Sequence, residues 1–135
     1  MTITYQTEPQ LQAADFIDIL VRSGLAQRRP ADNPARIAKM LENADLVVTA
    51  RNESGLLVGI ARSITDWSYC LYCSDLAVDK AAQGKGIGKA LLAETARLAP
   101  EVKSHILLSA PAAVSFYEHA GYQHHPAAFL FHVGD

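Results

Sequence analysis

The chain has 135 residues, with 12 Lys plus Arg against 14 Asp plus Glu and a formal charge of -2. Hydrophobic residues make up 50% and charged ones 19%, which excludes intrinsic disorder and supports one domain spanning 1-135. Such a domain removes roughly two thirds of its unfolded surface from water. The slight acidity argues against nucleic acid or an anionic membrane as partner, because both reward a dense positive field.

No apolar run approaches the roughly 20 residues that span a bilayer. The start, Met1 to Gln6, lacks the basic residues and hydrophobic run of a secretory signal, so a cytoplasmic protein is expected. Cys70 and Cys73 have no second pair to complete a zinc site. On a strand they would stand about 10 Å apart on opposite faces, too far for a disulfide, and are expected as buried or half-buried free thiols.

In chain order, residues 2 to 6 suit a short strand. Phe16, Ile17 and Leu20 give helical spacing over 10 to 23. Asn33 before Pro34 predicts a helix cap and a first-turn proline, with Ile37, Met40 and Leu41 as the buried stripe. Leu46 to Arg51 and Leu56 to Ile64 read as a hairpin through Asn52-Glu53-Ser54-Gly55. Tyr69 to Val78 is the next strand. A helix over 87 to 99 uses Ile87, Leu91 and Leu98 on its inner side and stops at Pro100. Ile106-Leu107-Leu108 predicts a strand covered on both sides. A short helix over 112 to 120 closes at Gly121, and Tyr122 and Phe129 to Val133 are the last strand candidates. The crossover between strands near 74 and 106 indicates α/β architecture, a mixed sheet with parallel central strands flanked by helices.

The loop Gln83-Gly84-Lys85-Gly86-Ile87-Gly88-Lys89 lies between a strand and a helix. Glycine removes the Cβ barrier to close approach, and the first amides of a helix lack internal acceptors. Several N-H groups can therefore converge on phosphate oxygens, with Lys85 and Lys89 adding charge; a plain flexible turn is the competing reading. The helix begins Gly88-Lys89-Ala90, without the Ser or Thr that a kinase-like phosphate loop places on magnesium. Lys89 also stands where a dinucleotide fingerprint would need its last glycine, and too little chain precedes the loop for a Rossmann domain.

Three ordered pieces, Ser74-Asp75-Leu76-Ala77-Val78-Asp79, Gln83 through Gly88, and Phe116-Tyr117-Glu118-His119-Ala120-Gly121-Tyr122, resemble the GNAT-type N-acetyltransferase superfamily. The resemblance runs from about Leu46 to the carboxyl end. It implies an acyl-coenzyme A site between two splayed parallel strands, with pyrophosphate on the glycine loop and pantetheine on backbone near Leu76, Ala77 and Val78. It further implies direct acetyl transfer from acetyl-CoA to a primary amine of a small molecule or amino acid, releasing coenzyme A. Tyr117 matches the tyrosine that protonates the departing thiolate, with Phe116 pointing into the core. Ser74 stands where many relatives carry a glutamate, which leaves Asp75 as the carboxylate to receive a proton through water, against a structural role. Ser109 and Ser115 are either cofactor contacts or structural hydroxyls. Asp66-Trp67, at a strand end, serve either as part of an amine pocket or as turn residues. Adjacent His124 and His125 establish no metal site, and none is expected. A non-catalytic acyl-CoA binding or sensory protein is the alternative. An open sheet edge leaves a homodimer as well as a monomer in view.

Overall fold

The computed structural model describes residues 2-134. Five strands, β1 (Thr4–Thr7), β2 (Leu46–Arg51), β3 (Leu57–Thr65), β4 (Cys70–Val78) and β5 (Ser104–Leu107), form one sheet in the order β1-β2-β3-β4-β5. Helix α1 (Ala13–Ser23) and helix α2 (Pro34–Glu42) precede the β2–β3 hairpin. Helix α3 (Ile87–Leu98) crosses from β4 to β5, and α4 (Val114–His119) follows β5. The first three pairings are antiparallel and β4–β5 is parallel, as the crossover requires.

The sheet separates two cores. Leu46, Val48 and Ala50 of β2 point to one side with Leu71 and Cys73 of β4, and pack with Ile87, Leu91 and Leu92 of α3. Val47, Leu57 and Ile60 point to the other, against Phe16, Ile19 and Leu20 of α1 and Ile37 and Leu41 of α2. Period-2 alternation along the strands feeds both layers. Asn33 caps α2 as its sequence predicts: its side-chain oxygen accepts the Arg36 N-H at 3.1 Å, with Pro34 in the first turn.

Four expectations change, the exposure of Cys70 among them. Strand β5 is not covered on both sides: it ends the sheet, and Ile106 and Leu108 are 51% and 48% exposed. The parallel pair therefore lies at one end of the sheet. Tyr122 and Phe129 to Val133 form no strand among the described residues. In α4, Tyr117 rather than Phe116 packs against the core, together with Ala120, while the Phe116 ring lies over Gly88. Gly121 closes α4 in the left-handed region, at φ 95. Cys73 is buried and Cys70 exposed, both free.

Candidate active site

Two features of β4 shape the site. Its pairing with β5 runs only from Cys70↔Ser104 to Cys73↔Leu107, so the strands part company after Cys73. Its pairing with β3 passes from Ser63↔Cys73 to Arg62↔Asp75, leaving Ser74 as an extra residue. This bulge reverses the faces of the strand. Before it Leu71 and Cys73 face α3; after it Leu76 and Val78 do, and Ala77 joins the opposite core. The Asp79 N-H bonds the Val58 carbonyl at 2.9 Å. By the alternation of an antiparallel ladder, Ala77 then turns its amide and carbonyl to β3 while Leu76 and Val78 turn theirs into the gap. The Gln83 side chain meets the Val78 carbonyl there, donating at 3.0 Å.

The glycine loop closes the far end of this gap. Gly84 and Gly86 have φ of 80 and 83, and a Cβ on either would meet nothing within 4 Å. Gly86 caps α3 without a side-chain hydrogen bond, so the first α3 amides have no capping side chain. Lys85 and Lys89 are exposed beside them, whereas Ile87 is a core residue that can offer only its backbone. Gly88 differs from the other two glycines: a Cβ there would come within 2.9 Å of the Phe116 ring. Its smallness serves helix packing.

Tyr117 stands where β4 and β5 separate. Its ring is edge-on to Phe116 and Tyr122, with centroids 5.1 and 6.0 Å away. Burial pushes its phenol up to about 12, reinforced by the Cys73 thiol and opposed by the Arg29 guanidinium. The proton therefore stays on the phenol throughout the physiological range. Ser109 follows β5 and donates its hydroxyl to the Ala110 carbonyl at 2.7 Å; Ser115 is exposed on α4.

Asp75 is 1% exposed and lies between two guanidinium groups. Arg29 Nε donates to Oδ1 and Arg62 Nε to Oδ2. The same arginines hold the bulge: Arg29 Nη2 reaches the Ser74 carbonyl at 2.7 Å and Arg62 Nη2 the Ser74 hydroxyl at 2.9 Å. A buried carboxylate saturated by two cations is poorly placed to collect a proton, and the expectation of a base at Asp75 gives way to an ion-pair role. Asp66 and Trp67 stand at the turn that was one of their two sequence readings. They form the β3–β4 turn, where Asp66 Oδ1 accepts the N-H groups of Ser68, Tyr69 and Cys70, and these bonds lower its pKa. From Cys70, the first residue after that turn, to Leu76 the strand extends roughly 20 Å. His124 pairs with Glu118 at 3.1 Å on the surface.

Residues 42–124 match the acetyltransferase (GNAT) domain. The chain belongs to this family. A histone acetyltransferase of Glycine max is 29% identical to the GNAT chain over 111 residues, covering 73% of this chain and 47% of that protein. An uncharacterised N-acetyltransferase of Gracilaria tenuistipitata var. liui is 30% identical over 74 residues, 53% of this chain and 41% of its own length. The chain spans less than half the length of these curated relatives. Among solved structures, a GNAT-family acetyltransferase from Streptococcus pneumoniae TIGR4 superposes with a TM-score of 0.80 at 18% identity, covering 98% of both chains. An aminoglycoside acetyltransferase from an uncultured soil metagenomic sample does so at 0.72 and 19%, covering 98% of this chain and 97% of that one. These likenesses establish a GNAT fold with its mixed sheet and flanking helices.

Sequence reasoning missed Arg29 and Arg62 within this GNAT site. Arg62 carried a readable signal: it is the one cation in the interior of an otherwise largely apolar strand, and the antiparallel neighbour offers Asp75 as a carboxylate. Arg29 lies outside the matched region and reaches β4 from the segment between α1 and α2, 46 residues away in the chain. Local patterning has no access to that pair.

Proposed function

We propose that this GNAT protein is an acetyl-CoA-dependent N-acetyltransferase acting on a primary amine of a small molecule or amino acid. The observation that carries the reading is the gap along Ser74–Val78 with the uncapped start of α3 at its end. The residues present fit the cofactor. Gly84 and Gly86 leave an open cradle that a side chain would narrow, with unpaired α3 amides and two lysines around it. Leu76 and Val78 offer backbone groups along a strand edge, to which an amide-rich pantetheine arm can add as another strand would. When bound, acetyl-CoA supplies an acetyl group activated as a thioester, with a sulfur that departs with the electron pair of the broken C–S bond.

The chain's own residues then have defined tasks. Backbone at Leu76 and Val78 fixes the arm, and Gln83 through Lys89 hold the diphosphate. Tyr117, protonated by virtue of its buried phenol, donates its proton to the departing sulfur. Solvent reprotonates the tyrosine and receives the proton shed by the amine nitrogen, since Asp75 is engaged by two arginines. The incoming amine must be neutral to attack. The acidity of the chain, formally -2, suits small cationic amines as the acceptor class.

A non-catalytic acyl-CoA binding or sensory role is the second reading, favoured by the lack of a free carboxylate base at Asp75. Calorimetric titration with acetyl-CoA, paired with thiol release on a panel of primary amines, separates the two. Binding with turnover supports the enzyme, binding without turnover the sensor, and a folded sample that does neither overturns both. Tyr117→Phe is expected to keep acetyl-CoA binding and lower kcat about 100-fold, at the lower end of general-acid contributions. Unchanged kcat would remove Tyr117 from the chemistry.

A further inference from the structure

Asp79 closes the first of the motif pieces, yet nothing in the proposed chemistry uses it. Its carboxylate sits at the joint between β4 and the glycine loop and makes two sets of contacts. Oδ1 accepts the Ala81 N-H at 2.9 Å, capping the short turn Lys80–Ala82 that leads into Gln83. Oδ2 accepts from Arg22 Nη1 at 2.6 Å. Arg22 stands in the last turn of α1, where a cation also suits the helix dipole. Its Nη2 donates to the Leu57 carbonyl at 2.7 Å and its Nε to Asp18 Oδ2 at 2.9 Å. All three guanidinium nitrogens are thus engaged, which fixes the group as a single ammonium could not be fixed. The Arg22 and Asp79 side chains are only 24% and 15% exposed, so the pair escapes much of the screening that weakens surface ion pairs.

A second contact joins the same two elements. Gly24 ends α1 at φ 86, and a Cβ there would come within 2.9 Å of Lys80 Cε and 3.2 Å of its Nζ. The Lys80 side chain therefore lies against the C-cap of α1, its ammonium complementing the negative pole of the helix. On the opposite face of the turn, Ala82 is buried in the core shared with α3. The turn is gripped from both layers, and Gln83, bonded to the Val78 carbonyl, starts the glycine loop from that fixed point. Gly84 and Gly86 have no side chains with which to restrain the loop themselves. Arg22 lies outside residues 42–124, so the strut is supplied by the part of the chain that precedes the family match.

We infer that Arg22 is a positioning residue for the diphosphate loop, acting through Asp79 to hold the start of that loop against the end of α1. This role rests on the acetyl-CoA reading of the loop, whereas the strut itself does not. An anion bound by several backbone N-H groups depends on where those groups point, so a turn released from α1 loses affinity at the diphosphate. The pantetheine contacts at Leu76 and Val78 are spared, because β4 keeps its ladder with β3 up to Gly59↔Val78. Tyr117, on α4, is untouched by either contact. The strut thus bears on one end of the cofactor and leaves the acetyl end alone.

Two donors read this role with the best acceptor of the amine panel: acetyl-CoA, and acetyl-pantetheine, which lacks the diphosphate. Arg22→Gln is expected to raise the acetyl-CoA Kd and KM roughly 10-fold with kcat and the amine KM unchanged. Its kcat/KM for acetyl-pantetheine should match the wild type. Arg22→Lys keeps a cation beside Asp79 but reaches fewer acceptors, and should fall between the two. In an Asp79→Asn background, Arg22→Gln should add less than about twofold, because the two residues act as one unit. Glu8→Gln, at the other end of the sheet, lowers stability and should leave the acetyl-CoA Kd where it was. Without cofactor, Arg22→Gln should quicken amide exchange at Ala81 and Ala82. An unchanged acetyl-CoA Kd, equal losses with both donors, or additive losses in the double variant overturn the positioning role. Unchanged exchange at Ala81 and Ala82 overturns the strut. A folded wild-type chain that does not bind acetyl-CoA overturns the acetyltransferase reading and the cofactor role with it, while quickened exchange in Arg22→Gln would still uphold the strut.

Discussion

Asp75 illustrates how environment assigns a role that residue type leaves open. A carboxylate beside an expected cofactor strand has the chemistry of a base, but two buried-side guanidinium groups take both of its oxygens. Removing its charge leaves those cations uncompensated, at a cost of about 3 kcal/mol. Asp75→Asn should lower Tm by roughly 10 °C while acetyl transfer persists below the new midpoint. Full stability combined with abolished transfer would restore Asp75 as the base. Glu8 shows the same device in a less buried setting. Paired hydrogen bonds from Arg51 hold its carboxyl down from 4.5 to about 2 against the opposing effect of burial, with Thr49 and Gln6 assisting. A depressed folded-state pKa stabilises the protein above about 4.5, and that stability disappears as pH falls toward 2. Discounted for solvent screening, the effect is on the order of 1 kcal/mol. Acid unfolding curves should show it in the wild type, and Glu8→Gln should flatten the curve between those values.

At the scale of elements, the loop between β4 and α3 combines two uses of glycine that spacing does not distinguish. Gly84 and Gly86 adopt left-handed backbone in open space, while Gly88 permits contact between α3 and the Phe116 ring. From the loop composition alone, Gly86→Val is expected to weaken cofactor binding before stability. The φ of 83 adds backbone strain, so both should fall, with a stability loss of about 1–3 kcal/mol. Unfolding measurements beside calorimetry check this, and an unchanged Tm would contradict the left-handed cap. The bulge at Ser74 is the other decisive element. It moves Leu76 and Val78 to the face that Leu71 and Cys73 occupied, and Arg29 and Arg62 tie it to the α1–α2 side of the sheet.

Across the whole molecule, the sheet joins an antiparallel β1–β4 platform, cored on both faces, to a parallel strand that stays paired for only part of its neighbour's length. The resulting gap leaves Leu76 and Val78 with backbone groups turned away from β3, while those of Ala77 belong to the ladder. Hydrogen exchange should therefore be slow at Ala77 in the free protein. Added acetyl-CoA should slow Leu76 or Val78, whichever amide the arm engages. Protection confined to another part of the chain would displace the proposed cofactor path.

The helices, the β2–β3 hairpin, the Asn33 cap and the glycine loop were legible because each rests on contacts between residues close in sequence. Period, cap chemistry and turn composition act locally, and the ordered motif pieces carried the family likeness. Ser74 as a bulge, Arg29 and Arg62 closing on Asp75, the turn role of Asp66 and Trp67, and the bare edge of β5 were decided only in three dimensions. Each depends on register or on side chains brought together from distant positions. A one-residue shift in pairing changes the face of every residue beyond it, and no local pattern records that shift.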